Sequence, residues 1–373
     1  MNLSTDPIMR RLHACVEAGV PAIMWSDPGG GKTARVDAYS RIRRLMCKRW
    51  LLSRCEPIDL KPRIYHEGKV VVVDPPEIEA LVEVAARKLG VVAAIVFFDE
   101  LNRATRETEG AALDRIDNSP PGVAVIAAGN PPSRGQAARS LEAAAANRFC
   151  HLDVPTDAVA FSRAQVNGWP SDEADFPVPE KKTLDDCMGK ARMLVSTFIA
   201  RQPGLLAKCP DNPVQAGKAW PSPRTWEHAR KLYAMGRAMG LETQDMIALV
   251  CGAIGDGAGV EFMAYCEYAD LVDPEEWLAK PTAFLPDRVD KVVAALSAVA
   301  HAVKSNLDDK RWRAAWQIIE HVVSSGMMDA GMVAGDLLVN MYRAKDLPAD
   351  VKAKLAQPHK LMPQRMAQLL VTP

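Results

Sequence analysis

Net charge is what this chain lacks most completely: 46 Lys and Arg face 46 Asp and Glu across 373 residues. No global field draws it toward nucleic acid or an anionic membrane, although local patches stay open. It has no C-x-x-C pair either. Its eight cysteines (15, 47, 55, 150, 187, 209, 251, 266) are scattered, a pattern that suits reduced, buried thiols rather than disulfides or zinc. The seven histidines form no H-x-x-x-H and no Cys/His cluster, so they read as structural. No apolar run reaches transmembrane length, and Met1 to Pro7 shows no basic-then-apolar signal pattern, so a cytoplasmic protein is expected. There is no internal repeat. What remains is ordinary globular composition, 48% hydrophobic and 25% charged, in a chain long enough for two or three domains.

One stretch stands out from that background. Ser26-Asp27-Pro28-Gly29-Gly30-Gly31-Lys32-Thr33 follows the phosphate-loop pattern G-x-x-x-x-G-K-[ST], with Ser26 in place of the first Gly. Before it, Ala22 to Trp25 are apolar enough for a buried strand. After it, Ile42, Leu45, Met46 and Trp50 predict a helix from Lys32 to about Arg49. Strand, glycine turn and helix in that order are the context such a loop requires. Three glycines let successive backbone N–H groups close around phosphate oxygens, toward which the positive end of the next helix points. Lys32 adds a mobile cation for the β- and γ-phosphates, and the Thr33 hydroxyl suits Mg2+. Ser26 is compatible with the turn provided its φ stays negative.

Upstream, residues 6 to 19 read as a helix with Ile8, Leu12, Cys15 and Val16 on one side. In the helix after the loop, Arg41, Arg43, Arg44, Lys48 and Arg49 read as a solvated face. Glu56 to Leu60 predicts a second strand, Lys69 to Val73 a strand or hairpin arm, and Pro75-Pro76 the start of a helix to about Leu89. Val91 to Phe98 are eight uninterrupted apolar residues, as in a central parallel strand covered on both faces. That strand ends in Asp99-Glu100, at the edge where open α/β sheets bind ligands. Beside a phosphate loop, Asp99 suits holding Mg2+ and Glu100 suits polarising an attacking water. The next strand, Val123 to Ala128, runs into Gly129-Asn130-Pro131-Pro132, which puts Asn130 in reach of a γ-phosphate or lytic water. An alanine-rich helix, Ala137 to Ala146, leads through Asn147-Arg148-Phe149 to a last strand, Cys150 to Val154. Residues 168 to 179 are acidic and proline-broken, as in a linker. Beyond them come a helical pattern from Thr183, an irregular segment from Gln202 to Trp220, and a helix from Pro223 to about Gly240. Two helices follow within 243 to 270, and three apolar stripes beyond Pro286 predict further helices.

Four motifs together, SDPGGGKT, IVFFDELNRA (95–104), AAGN (127–130) and ANRF (146–149), resemble AAA+ ATPases of the MoxR type. The DELNRA extension and the NPP after AAGN are the more specific parts. The resemblance covers roughly residues 20 to 230 and implies hydrolysis of ATP with Mg2+ in a hexameric or similar ring, nucleotide lying between subunits. It implies that Asp27, Pro28, Gly29, Gly30, Gly31, Lys32, Thr33 and Asp99 bind the nucleotide, Thr33 and Asp99 as metal ligands. Glu100, Asn130 and Arg148 would be catalytic, Arg148 as a finger stabilising phosphoryl charge in the neighbour's site. Arg103, Arg134 and Arg139 compete for that role. PSPRTW (221–226) resembles sensor 2, so Arg224 would reach back to the nucleotide from a lid. Residues 118 to 122 leave less room than the hairpin common there in MoxR-type proteins. Tyr65-His66-Glu67-Gly68 occupies the interval of a central-pore loop, yet a partly buried loop Tyr fits equally.

The expected architecture is α/β: an AAA+ P-loop NTPase core over 1–165, a linker and helical lid with sensor 2 over 166–285, and a helical C-terminal extension over 286–373. By resemblance its task is to remodel, mature or activate a client protein, and such proteins commonly act with a von Willebrand A-domain partner. One alternative is a nucleic-acid motor or loader on the same core, against which the neutral charge weighs. Another is an assembly switch that binds ATP without hydrolysing it. Glu100, Asn130 and Arg148 weigh against that, since binding alone requires none of them. Client, partner, ring size and the role of residues 286–373 stay open.

Overall fold

The computed structural model describes residues 6–66, 69–87, 91–132, 138–167, 176–270, 273–283, 285–286, 288–344, 347–364 and 366. The chain divides into two compact units, Met1–Glu180 with Ala207–Gly259, and Lys181–Leu206 with Val260–Pro373. The expected boundaries at 165/166 and 285/286 cut across these units, because the chain leaves the first one at Lys181 and returns to it at Ala207.

The first unit carries α1 (Pro7–Glu17), β1 (Ala22–Trp25), α2 (Lys32–Ile42), β2 (Met46–Leu51), α3 (Pro57–Leu60), β3 (Arg63–His66), β4 (Lys69–Val72), α4 (Pro76–Ala86) and β5 (Ala94–Asp99). It continues with α5 (Arg106–Asp117), β6 (Val123–Gly129), α6 (Ala143–Ala146), β7 (Cys150–Asp153) and α7 (Ala158–Asn167). After α8 (Lys181–Arg201) of the second unit, it resumes with α9 (Pro213–Ala216), α10 (Pro223–Met239) and α11 (Thr243–Ile254). Five strands form one sheet in the order β2-β5-β6-β1-β7, every pair parallel. This is the expected α/β core, a parallel sheet flanked by helices. The register sets Trp25 opposite Gly129, Phe98 opposite Ala127 and Leu51 opposite Asp99, so all strands end at one edge. Every residue of β5 and β6 is buried, which is why these strands read as unbroken apolar runs. β3 and β4 make a separate antiparallel hairpin whose tip, and with it part of the expected pore-loop interval, lies outside the described residues.

Three sequence expectations are corrected. The helix after the phosphate loop ends at Ile42, Arg44 turns the chain at φ 52°, and residues 46–51 become edge strand β2. Pairing with β5 along its whole length and burying Trp50 against Phe98 outweigh the helical spacing. Lys48 and Arg49 therefore stand on a strand, not on a solvated helical face. Glu56 to Leu60 is no strand: Pro57 starts a single helical turn, closed by a capping box between Glu56 and Asp59. The alanine-rich helix shrinks to Ala143–Ala146, since the backbone of Arg139 is spent on Asn102 and Ala137 lies outside the described residues. Helix α10 begins and ends as expected, with a Ser222 cap and Gly240 in left-handed conformation at its end.

The second unit is helical: α8, then α12 (Asp256–Asp270, shared with the end of the first unit), α13 (Pro274–Ala279), α14 (Val289–Ser305), α15 (Asp309–Ser324), α16 (Met328–Arg343), α17 (Ala349–Lys354) and α18 (Pro358–Leu361). The three apolar stripes beyond Pro286 are α14, α15 and α16. Inside, the Tyr265 hydroxyl donates to Thr197 Oγ1 at 2.8 Å, and Ser297 Oγ donates to the same oxygen at 2.8 Å. A shared buried acceptor of this kind fixes the mutual register of three helices. No described helix is long and apolar enough to cross a membrane.

Phe98 is fully buried on the face where Trp50 and Leu101 also pack. Phe98→Ala is expected to cost about 3–5 kcal/mol of stability, read as a lower denaturant midpoint at unchanged slope. A loss below about 1 kcal/mol would contradict this packing.

Candidate functional site

Because the sheet is parallel, the residues after β1, β5 and β6 meet at its carboxy-terminal edge. They surround a cleft of about 730 Å³ lined by Pro28 to Ala34, Arg49, Leu51, Asp99, Glu100, Arg103 and Ala128 to Asn130. In the loop itself, Gly29 and Gly31 adopt φ 81° and 77°, the left-handed region that a Cβ resists. A Cβ on Gly30 would stand 2.4 Å from Ser26 Oγ, so the third glycine is required by crowding rather than by φ. Among the described residues only Arg44 and Glu100 combine a side chain with positive φ, so Ser26 follows the turn without strain.

Lys32 is 9% exposed, and its ammonium donates to Ser26 O at 3.0 Å, Ser26 Oγ at 2.8 Å and Asn130 Oδ1 at 2.8 Å. All three of its protons are thus used. Burial pushes its pKa down, while Asp99, Asp27 and Glu100 pull it up. Ser26, the departure from the glycine pattern, is one of the groups holding this cation. Thr33 Oγ1 donates to Asp99 Oδ2 at 3.0 Å. A hydroxyl and a carboxylate in contact are the hard-oxygen donors Mg2+ takes when phosphates supply the rest of its shell. The described residues hold no cluster of three or more His, Cys, Asp or Glu able to cage a metal by themselves.

Glu100 follows β5 at φ 56° and ψ 39°, a conformation that costs a non-glycine residue roughly 1–3 kcal/mol. The turn throws its carboxylate out of the sheet. Oε2 accepts from Ser53 Oγ at 2.5 Å and Oε1 pairs with Arg103 Nη1 at 2.9 Å. Asn130 is held by a residue that sequence reasoning passed over. Asn102 is fully buried, and its Nδ2 donates to the carbonyls of Asn130 at 2.8 Å and Arg139 at 3.0 Å. Its Oδ1 accepts from the Asn130 N–H at 3.2 Å. The β5–β6 pairing stops at Phe98 and Ala127, so the Asn102 amide continues a ladder that β5 has left. Only the DELN spacing could have signalled this.

Arg148 and Arg224 do not line the cleft. Asn147 Oδ1 accepts from Ser222 Oγ at 2.8 Å, which draws the two motifs together. The Arg148 guanidinium pairs with Asp117 at 2.6 Å, and Arg224 Nη1 stands 3.7 Å from the same carboxylate. They line a smaller cavity of about 280 Å³ with Val20, Pro21 and Val123, at the amino-terminal edge of the sheet. Arg103 stands in the cleft, Arg139 pairs with Glu109, and Arg134 lies outside the described residues.

No protein family and no curated protein matches this chain by sequence. Solved structures similar in fold include a candidate ATPase from Cytophaga hutchinsonii, at 15% identity over 68% of this chain and 82% of that one, with a TM-score of 0.42. A full-length MCM homolog from Methanopyrus kandleri matches at 15% identity over 66% of this chain and 55% of that one, TM-score 0.35. The Aeropyrum pernix ORC1 protein, solved in complex with DNA, matches at 14% identity over 87% of this chain and 84% of that one, TM-score 0.28. At this distance, what those proteins bind does not transfer to this chain.

If Asn102 positions Asn130, Asn102→Ala should speed amide exchange at Asn130 while leaving the β1 and β5 amides protected. Uniform loss of protection across the sheet would mean that Asn102 merely supports the fold.

Proposed function

We propose that this protein is an AAA+ ATPase that hydrolyses ATP with Mg2+. The observation that carries the reading is the convergence, in one cleft, of a left-handed glycine loop, a buried lysine, a Thr–Asp pair, a strained glutamate and a clamped asparagine. A site that only bound nucleotide would need neither the last two nor the strain. Mg2+, held by Thr33 and Asp99, would supply charge neutralisation of the phosphates. The loop amides from Gly29 to Thr33 and the Lys32 ammonium bind the phosphate chain, Lys32 exchanging its bonds to Ser26 and Asn130 for phosphate oxygens. Glu100, freed from Ser53, takes the proton of the attacking water, and the Asn130 amide orients that water.

The position of Arg148 and Arg224 supports action between subunits. Four residues of β1 span roughly 13 Å, so guanidiniums at the amino-terminal edge face away from the phosphates of their own chain. A phosphate belonging to a second copy is the one they can serve, with Asp117 as the carboxylate they leave. On this reading the chain forms a ring, with the hexamer as the expected size. Its work there is remodelling, maturing or activating a client protein, by likeness of the DELNRA and NPP motifs to MoxR-type proteins. A DNA-associated motor on the same core is the second reading, and DNA-stimulated turnover would favour it.

Lys32→Ala should abolish ATP binding in calorimetry, while Glu100→Gln should keep binding and lower turnover by roughly 10²–10⁴-fold. Unchanged affinity in the first variant or near-normal turnover in the second would overturn the assignment.

Arg148→Ala should spare ATP binding yet cut hydrolysis about 10³-fold or more. Mixing it with Lys32→Ala should restore part of the activity, because one chain then offers an intact loop and its neighbour an intact Arg148. Mixed assemblies, verified by mass, that stay inactive would rule out action in trans.

A further inference from the structure

We infer that Arg49 is a second phosphate-binding cation, supplied in cis and directed at the terminal phosphate, an inference that rests on the nucleotide reading above. Arg49 stands on β2, the strand next to β5, and lines the same cleft as the glycine loop. The loop starts from β1, on the far side of β5 and β6. Along the edge the order is therefore loop and Lys32, then Asn130, then Asp99 and Glu100, then Arg49. A phosphate chain anchored by the loop at β1 and extending toward Glu100 presents its last phosphate to Arg49.

The partner of Arg49 decides when it acts. Its Nη2 lies 2.6 Å from Asp99 Oδ2, the oxygen that also accepts from Thr33 at 3.0 Å. That oxygen and that hydroxyl are the donors for the divalent cation. A cation seated there repels a guanidinium on the same oxygen, so metal binding releases Arg49 while delivering the anion it can move to. Arg103 does not share this property: its partner, Glu100 Oε1, is no metal donor. Arg49 is also free to swing, since its side chain is 46% exposed whereas Asp99 is 8% exposed. A planar guanidinium suits a terminal phosphoryl group, which offers two oxygens to its fork.

The test compares a non-hydrolysable β,γ-imido triphosphate with ADP, both with Mg2+, binding to full-length wild type, Arg49→Ala and Arg49→Lys in calorimetry. Loss of a charged hydrogen bond to the terminal phosphate should weaken the triphosphate about 10- to 100-fold in Arg49→Ala, with ADP affinity unchanged and Arg49→Lys intermediate. Equal weakening of both nucleotides, as from a distorted edge strand, would overturn the inference, and so would no weakening at all. Wild-type protein that binds neither nucleotide would remove the nucleotide reading and this inference together; the other two failures leave that reading intact.

Discussion

A nearly buried ammonium, that of Lys32, is the constraint on which the rest of the site depends. Charge at 9% exposure survives only with its hydration replaced, and the chain replaces it with Ser26, the Ser26 carbonyl and Asn130. Those oxygens belong to the ends of two neighbouring strands. The ammonium is therefore satisfied only if β1 and β6 are parallel, adjacent and in the observed register. The local field also has to hold: Asp99, Asp27 and Glu100 offset the desolvation that pushes the lysine toward neutrality.

Asp99 and Glu100 are neighbours in sequence but differ in surroundings. Asp99 ends the buried run of β5, 8% exposed, and is bound by Thr33 and Arg49. One residue later the backbone flips to positive φ, and Glu100 is held by Ser53 and Arg103 outside the sheet. On the proposed reading, a single turn thus separates the carboxylate assigned to a cation from the one assigned to a proton. The strain of that turn is stored where chemistry would use it.

The two edges of the sheet have complementary character. The carboxy-terminal edge gathers amides, Lys32 and acids around a cleft, and the amino-terminal edge holds Arg148 and Arg224 on one carboxylate. The tie between them is the hydrogen-bonded sheet itself. This division gives the assembly reading its physical basis, since one copy carries the anion site and the cations that could serve another on opposite ends.

The glycine loop, the Asp99-Glu100 strand end, Asn130 and the α10 start were legible in the sequence because each is local: turn chemistry, an eight-residue apolar run, a proline after a serine. The first three meet in one cleft once the strands are parallel. Residues 46 to 51 were not legible. Leu45, Met46 and Trp50 suit a helix as well as an edge strand, and only the hydrogen-bonding edge of β5 decided between them. The same non-local pairing moved Arg49 from an expected solvated face to the side of Asp99, and the early end of β5–β6 pairing gave Asn102 its three backbone partners. The sequence by itself determined which residues the proposed phosphate site draws on. The tertiary structure decided which residues hold them, because those contacts join positions far apart in the chain and leave no period or spacing to read.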